Sequence, residues 1–181
     1  MHLNLPLARH AIDRDYLSRS NQELFAQLWA NPATRILPMH QGKVLLESNA
    51  VGEIAQLKLF SVDSVSSIEI RVYLGKTLDS ESREPAATPV VLAVLTEAEA
   101  KKLDADDSAW HSLRRTGAGL SARDAGLYAQ ALAIANWHES HPFCPKCGAK
   151  TEVIDSGWVR RCQVDDKEIY PRTDPAIIAA V

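Results

Sequence analysis

The chain of 181 residues has three cysteines, and all of them fall between positions 144 and 162. Cys144-Pro145-Lys146-Cys147-Gly148 sets two thiols three positions apart, with a glycine after the second to give the backbone the freedom a tight turn needs. Such a turn presents both thiolates to one ion. Zinc in a closed structural site takes four ligands in a tetrahedron, with sulfur at about 2.3 Å. A second arm is therefore expected further along, and Cys162 supplies it within Trp158-Val159-Arg160-Arg161-Cys162. The place three residues on, where a fourth cysteine would complete the pattern, holds Asp165. A carboxylate also binds zinc, at about 2.0–2.2 Å, so Asp165 is the expected fourth ligand. The alternatives are completion by Asp166, His141 or water, and a ribbon that holds without metal. A redox Cys-x-x-Cys would sit at a helix N-terminus in a βαβ unit, whereas Gly148 to Glu152 reads as a turn into a strand.

Clustered cysteines with none elsewhere point to metal rather than to a disulfide framework, and to a compartment where thiols stay reduced. The N-terminus, Met1-His2-Leu3-Asn4-Leu5-Pro6, lacks the basic and apolar regions of a signal peptide, and the expected location is the cytoplasm. Apolar stretches such as Pro89 to Leu95 are too short to span a bilayer, so no membrane association is expected. The net charge of −3 provides no global field for nucleic acid, so any phosphate contact must come from local arginines.

The elements that must position the cysteines form an α+β pattern. Ser20-Asn21-Gln22-Glu23 reads as a capping box, with Leu24, Phe25, Leu28 and Trp29 following at helical spacing up to Asn31-Pro32. Thr34–Leu37, Lys43–Glu47, Ala55–Phe60, Ser67–Leu74 and Pro89–Leu95 read as strands of a largely antiparallel sheet, and Asp79 to Thr88 as a loop. A short helix opens at Thr96 and ends near Leu103, before an acidic loop from Asp104 to Asp107. A long helix starts at Ser121, with Asp124 three residues on, and runs to about Ser140. Leu127, Ala131, Ile134, Ala135 and His138 form its buried stripe. These elements divide the chain into a mixed α/β domain at 1–140, a zinc ribbon at 141–171 and a last segment at 172–181.

The flanks of the cysteines carry a family resemblance. Ala129 to His138, Phe143 to Gly148, Gly157 to Cys162 and Tyr170-Pro171-Arg172-Thr173-Asp174-Pro175-Ala176-Ile177-Ile178 together resemble the NADH pyrophosphatase family of the Nudix superfamily. The match is specific from about residue 112 onward and looser before it.

That resemblance implies three parts in series: a variable N-terminal domain, a zinc ribbon with four cysteines, and a Nudix hydrolase domain. It implies cleavage of NAD(H), or another nucleotide diphosphate, to nicotinamide mononucleotide and AMP, with removal of NAD caps from RNA in bacterial members. It also implies a homodimer at full length. The Nudix box, closing in Arg-Glu-x-x-Glu-Glu, holds Mg²⁺ or Mn²⁺ on helix carboxylates. No such box occurs in these residues: Arg83-Glu84 is the only Arg-Glu pair, and Pro85 forbids the helix. Asp174 to Val181 resembles the first Nudix strand, so the 181 residues are expected to be inactive alone, with no catalytic residue of their own. Two substrate contacts carry over. Tyr170 takes the place of the family's tyrosine beyond the ribbon, and spacing assigns the N-terminal domain's arginine to Arg115, with Arg114 the alternative. The acidic contact that some members place before the ribbon tryptophan has no counterpart, because the residue is Gly157.

Overall fold

The computed structural model describes residues 11–47, 54–78 and 84–172. The first-strand resemblance of residues 174–181 and part of the 79–88 loop lie outside these. In chain order the strands are β1 (Ile12–Asp13), β2 (Arg35–His40), β3 (Lys43–Leu45), β4 (Phe60–Ser61), β5 (Ile70–Thr77), β6 (Pro89–Val94), β7 (Trp110–Ser112), β8 (Thr151–Ile154), β9 (Val159–Cys162) and β10 (Glu168–Ile169). The helices are α1 (Leu24–Ala30), α2 (Glu97–Leu103), α3 (Leu113–Thr116) and α4 (Ala122–Ser140). Among the described residues no helix is long and apolar enough to cross a membrane.

The fold is α+β. The main sheet runs β1-β5-β6-β2-β3-β7, with β4 paired to β2. Only β2 and β6 pair parallel; the other pairs are antiparallel. Both faces of this sheet are covered, which is why its central strands read as continuous apolar runs. Val90 and Leu92 of β6, Val72 and Leu74 of β5, and Leu37 and Met39 of β2 face α4, where Leu127, Tyr128, Ala131 and Ile134 meet them. Alternate residues Val91, Ala93, Tyr73 and Ile36 face the other way, toward Leu24 and Leu28 of α1 and Ala100 of α2. The period of two thus sends one strand into two cores.

The start of α4 is held as its sequence suggests: the Ser121 hydroxyl accepts the Asp124 N–H at 3.1 Å. Asp124 is itself buried, pairs with Arg123 at 2.7 Å and accepts the Leu57 N–H at 2.8 Å. Thr96 caps α2 in the same way, accepting from Glu99. The capping box at Ser20 does not form. Asn21 accepts the Glu23 N–H at 3.0 Å, closing a local turn, and α1 begins only at Leu24 with no side-chain cap. The Asx turn consumes the register that the box would have used. Of the expected strand Ala55–Phe60, Ala55 and Leu57 make isolated bridges and only Phe60 enters a strand, β4, while β7 and α3 occupy residues without a readable period.

A second sheet, β10-β9-β8, forms the cysteine-bearing ribbon. Its β8–β9 hairpin ends in a left-handed turn: Asp155, Ser156 and Gly157 have φ of 48°, 51° and 96°. This tip presses onto β5. A Cβ at Gly157 would lie 2.6 Å from the Arg71 carbonyl oxygen and 2.7 Å from the Val72 Cα. The contact is locked at both sides, since the Trp158 indole donates to the Tyr73 carbonyl at 2.7 Å and the Ser156 hydroxyl to the Arg19 carbonyl at 2.9 Å.

From behind, α4 grips the same turn. His138 Nε2 lies 2.8 Å from the Gly157 carbonyl, and Arg160 Nη1 lies 2.9 Å from His138 Nδ1. A guanidinium can only donate, so Nδ1 accepts and the imidazole is neutral, with its proton on Nε2 facing Gly157. Burial, reinforced by the Arg160 charge, pulls His138 down to about 4. The folded state thus binds this proton less readily than the unfolded chain. The contribution is complete above the ordinary imidazole value of about 6.5 and is lost as pH falls toward about 4. Thermal melts should show that loss between those limits, and His138→Gln, which keeps an acceptor and a donor without titrating, should flatten it. Gly157→Ala should destabilise by about 1–3 kcal/mol, the range for overpacking a filled contact, read in urea unfolding.

Candidate metal centre

Each end of the ribbon carries a knuckle, and the two are built alike. In the first, the Lys146 and Cys147 backbone N–H groups point at the Cys144 sulfur; in the second, those of Val164 and Asp165 point at the Cys162 sulfur. The Cys144 N–H donates to the Ala149 carbonyl at 2.7 Å, and the Cys162 N–H to the Lys167 carbonyl at 2.9 Å, both five residues on. Each knuckle closes through a residue of positive φ, Gly148 at 73° and Asp166 at 51°. Aspartate tolerates this conformation better than most side chains. The second arm is therefore folded as a knuckle although its fourth position is not a cysteine.

The two arms converge. One ligand atom each from Cys144, Cys147, Cys162 and Asp165 lies within 4.8 Å of all the others. The Cys147 and Cys162 sulfurs are 3.4 Å apart, and the Cys144 sulfur is 3.8 Å from Asp165 Oδ2. Donors at about 2.3 Å from a tetrahedral zinc stand about 3.8 Å from one another, so these residues fit that ion. Cys144 and Cys162 are buried, while Cys147 is exposed. Of the other groups considered for the fourth corner, His141 Nδ1 is turned to the Trp137 carbonyl and the Ser140 hydroxyl, and Asp166 faces Arg161 at 3.5 Å. Neither belongs to the cluster.

The cluster is electrostatically uneven. The backbone N–H groups of Cys147 and Lys146 lower Cys144. At Cys162 the Asp165 N–H acts in the same sense, but burial and the neighbouring Asp165 carboxylate and Cys147 thiol outweigh it and push the thiol up to about 11. Asp165 is lowered by the Cys162 thiol first, with help from the Lys167 N–H and the Lys146 ammonium 3.9 Å away. A divalent cation would relieve this crowding.

The two carried-over substrate positions lie elsewhere. Arg115 is exposed on α3, beside the β7 edge of the main sheet. Tyr170 is 57% exposed just past β10, the edge of the ribbon sheet, and its hydroxyl donates to the Glu168 carboxylate. No hydrogen bond or ion pair connects Arg115 with Tyr170 among the described residues. Sequence reasoning assigned no special role to His138 and Arg160; the available signal was a histidine in a buried helical stripe.

An α+β domain clamped to a ribbon with a four-donor cluster defines a class of small metal-ribbon proteins. Comparison with known families makes this specific. Residues 33–137 match the NADH pyrophosphatase-like rudimentary NUDIX domain, and residues 139–170 match the NADH pyrophosphatase zinc ribbon domain. The chain belongs to this family. The first match reaches back far beyond residue 112, where the specific resemblance begins. Among curated proteins, the NAD-capped RNA hydrolase NUDT12 of Homo sapiens is 36% identical over 70 residues, 34% of this chain and 15% of that protein. The mitochondrial NAD(P)H pyrophosphatase NUDT13 of Homo sapiens is 36% identical over 69 residues, covering 38% of this chain and 20% of its own length. The NAD-capped RNA hydrolase NudC of Mycobacterium tuberculosis is 35% identical over 69 residues, covering 38% and 22%. The matched stretch thus spans less than a quarter of these relatives.

Zinc retention tests the cluster. Purified protein should carry one zinc per chain. In a competition with a colorimetric chelator, Asp165→Cys should slow zinc loss and Asp165→Ala should speed it. Parent and both variants all free of zinc after expression with ample metal would make the ribbon metal-independent.

Proposed function

We propose that this chain is the N-terminal domain and zinc ribbon of a Nudix-type NAD(H) pyrophosphatase. The observation that carries this reading is the succession of two family matches, with the metal-type cluster preserved in the second. In this reading residues 1–140 form the N-terminal domain, 141–171 the ribbon and 172–181 the start of the Nudix domain. Cys144, Cys147, Cys162 and Asp165 hold a structural zinc, whose chemistry is to fix the two knuckles.

The reaction is hydrolysis of the pyrophosphate of NAD(H), with NAD-capped RNA as a second substrate, in line with the activities named for the relatives. Mg²⁺ or Mn²⁺ on Nudix-box carboxylates would neutralise phosphate charge and position water. The work of these 181 residues is binding and orientation. Arg115 supplies a phosphate contact, and Tyr170 packs near the nucleotide. The full-length protein is a cytoplasmic homodimer in this proposal.

Two outcomes follow. The 181-residue chain alone should release no AMP from NADH or NAD⁺ with Mg²⁺ or Mn²⁺, because its sequence holds no Nudix-box run of carboxylates; metal-dependent AMP release by contaminant-free protein would overturn this. Fused in frame to a Nudix domain, the chain should support turnover, and Arg115→Ala should raise KM by about tenfold or more, the size of one charge-assisted contact. Unchanged KM and kcat would remove Arg115 and make Arg114 the next residue to test.

A further inference from the structure

The docking of the ribbon on the main sheet leaves a cleft of about 790 Å³ beside the contact, within the usual range for small-molecule sites. One wall comes from the turn before α1 and from α1 itself, the floor from Ile68 to Arg71 ahead of and within β5, and the other wall from β8 and its turn. Neither Arg115 nor Tyr170 lines it.

Three arginines from distant parts of the chain enter this space: Arg19, Arg71 and Arg161. Arg161 is committed, with Glu168 at 2.9 Å and Asp166 at 3.5 Å. The other two are not. Arg71 lies over Phe25 at 4.5 Å and 5.5 Å from the Trp29 ring centroid, and no carboxylate reaches it among the described residues. A guanidinium laid on an aromatic face keeps its N–H edge open to an anion. Arg19 stacks over Trp158 at 3.8 Å and donates once, to the Arg14 carbonyl at 3.1 Å. Its Nε is buried with no partner among the described residues. A buried donor left unpaired is costly, and the Arg19 side chain that carries it lines the cleft. Two carboxylates, Glu69 and Asp155, also line the space, and with Arg161 matched by Glu168 and Asp166 the lining carries no net positive excess. A phosphate here is held by the directed donors of Arg19 and Arg71 rather than by net charge, which suits one phosphate group and not a dense polyanion.

The remaining lining gives the second half of the recognition. Phe25 and Trp29 are half-buried and meet edge to face at 6.0 Å; Arg71 lies over Phe25, so the Trp29 ring is the aromatic surface more open to the cleft. Gln22 stands on an exposed turn at its rim with its amide, beside Asn21 and Ser66, whose side chains already bond Glu23, Gln27 and Glu99. A phosphate beside a planar heterocycle bearing polar edges matches this combination.

We propose that the cleft between the main sheet and the ribbon binds a nucleoside phosphate, its phosphate on Arg19 and Arg71 and its base against Trp29. The ligand is either a free mononucleotide or one nucleotide of a single strand. This site is separate from the hydrolytic reading above and does not require it.

The test uses the 181-residue chain at low ionic strength, titrated by calorimetry with AMP, with inorganic phosphate and with a ten-nucleotide oligoadenylate. AMP should bind saturably and more tightly than inorganic phosphate. Arg71→Gln and Arg19→Gln should each weaken it by about tenfold or more, while Lys101→Gln on α2, away from the cleft, leaves it unchanged. Gln22→Glu, which adds negative charge at the rim without removing a contact, should give the same loss in a protein whose far-UV spectrum is unaltered. Tighter binding of the oligonucleotide than of AMP assigns the site to a strand, and equal binding assigns it to the free nucleotide. Absence of saturable binding by AMP and oligonucleotide alike overturns the proposal. So does AMP affinity no greater than that of phosphate, or affinity indifferent to Arg71→Gln and Gln22→Glu.

Discussion

The close approach of Gly157 to the β5 backbone is the constraint on which the rest of the structure depends. A side chain there would meet the Arg71 carbonyl oxygen at 2.6 Å, so the hairpin tip and the strand touch with only hydrogen between them. That proximity lets Trp158 reach the Tyr73 carbonyl and His138 reach the Gly157 carbonyl. It also sets where β8 and β9 project from the sheet, hence where the cysteines at their far ends stand. Arg160 carries the clamp into the ribbon itself, since its Nε donates to the Thr151 hydroxyl at 2.6 Å across the hairpin while Nη1 holds His138. A single guanidinium joins helix, β8 and β9.

Much of the site's frame was legible in the residue order. The Ser121 cap and the α4 stripe followed from local rules, because side-chain capping and helical period are decided within a few residues. The position of Asp165 in the cluster was readable from the interval after Cys162, which repeats that of Cys144 to Cys147. The failure at Ser20 was also local: Asn21 offered a competing turn, and two short-range signals overlapped. The cleft was not legible. Arg19, Arg71 and Arg161 have no spacing relation, and only the docking of two sheets makes them neighbours. The same holds for His138 and Arg160, whose meaning lies in the neutral imidazole tautomer that the guanidinium requires of His138.

The paired knuckles explain how an aspartate can stand where the pattern wants a thiolate. The backbone N–H groups of Val164 and Asp165 address the Cys162 sulfur as those of Lys146 and Cys147 address Cys144. The turn is thus specified by the first ligand and the backbone, not by the fourth residue. Exchanging thiolate for carboxylate leaves the formal charge of the ligand set unchanged, so electrostatics alone does not penalise it. What changes is softness and reach, and on both counts a carboxylate suits zinc less well than sulfur.

An aspartate in the fourth place matters less when the ribbon does not rest on metal alone. A segment of this size buries too little apolar surface to stand by itself, and small metal domains usually draw their folding energy from the ion. Here Trp158 and Ile169 pack against the main core instead, and the His138–Arg160 clamp adds buried polar contacts that exist only when the ribbon is docked. Docking supplies stability that an isolated ribbon would have to take from the ion. The knuckles are then held near their closed geometry in advance, and a ligand that binds with less intrinsic affinity loses less entropy on closure. The second arm, with Asp166 at positive φ in the place that Gly148 holds in the first, thus closes as a knuckle with an aspartate in its fourth position.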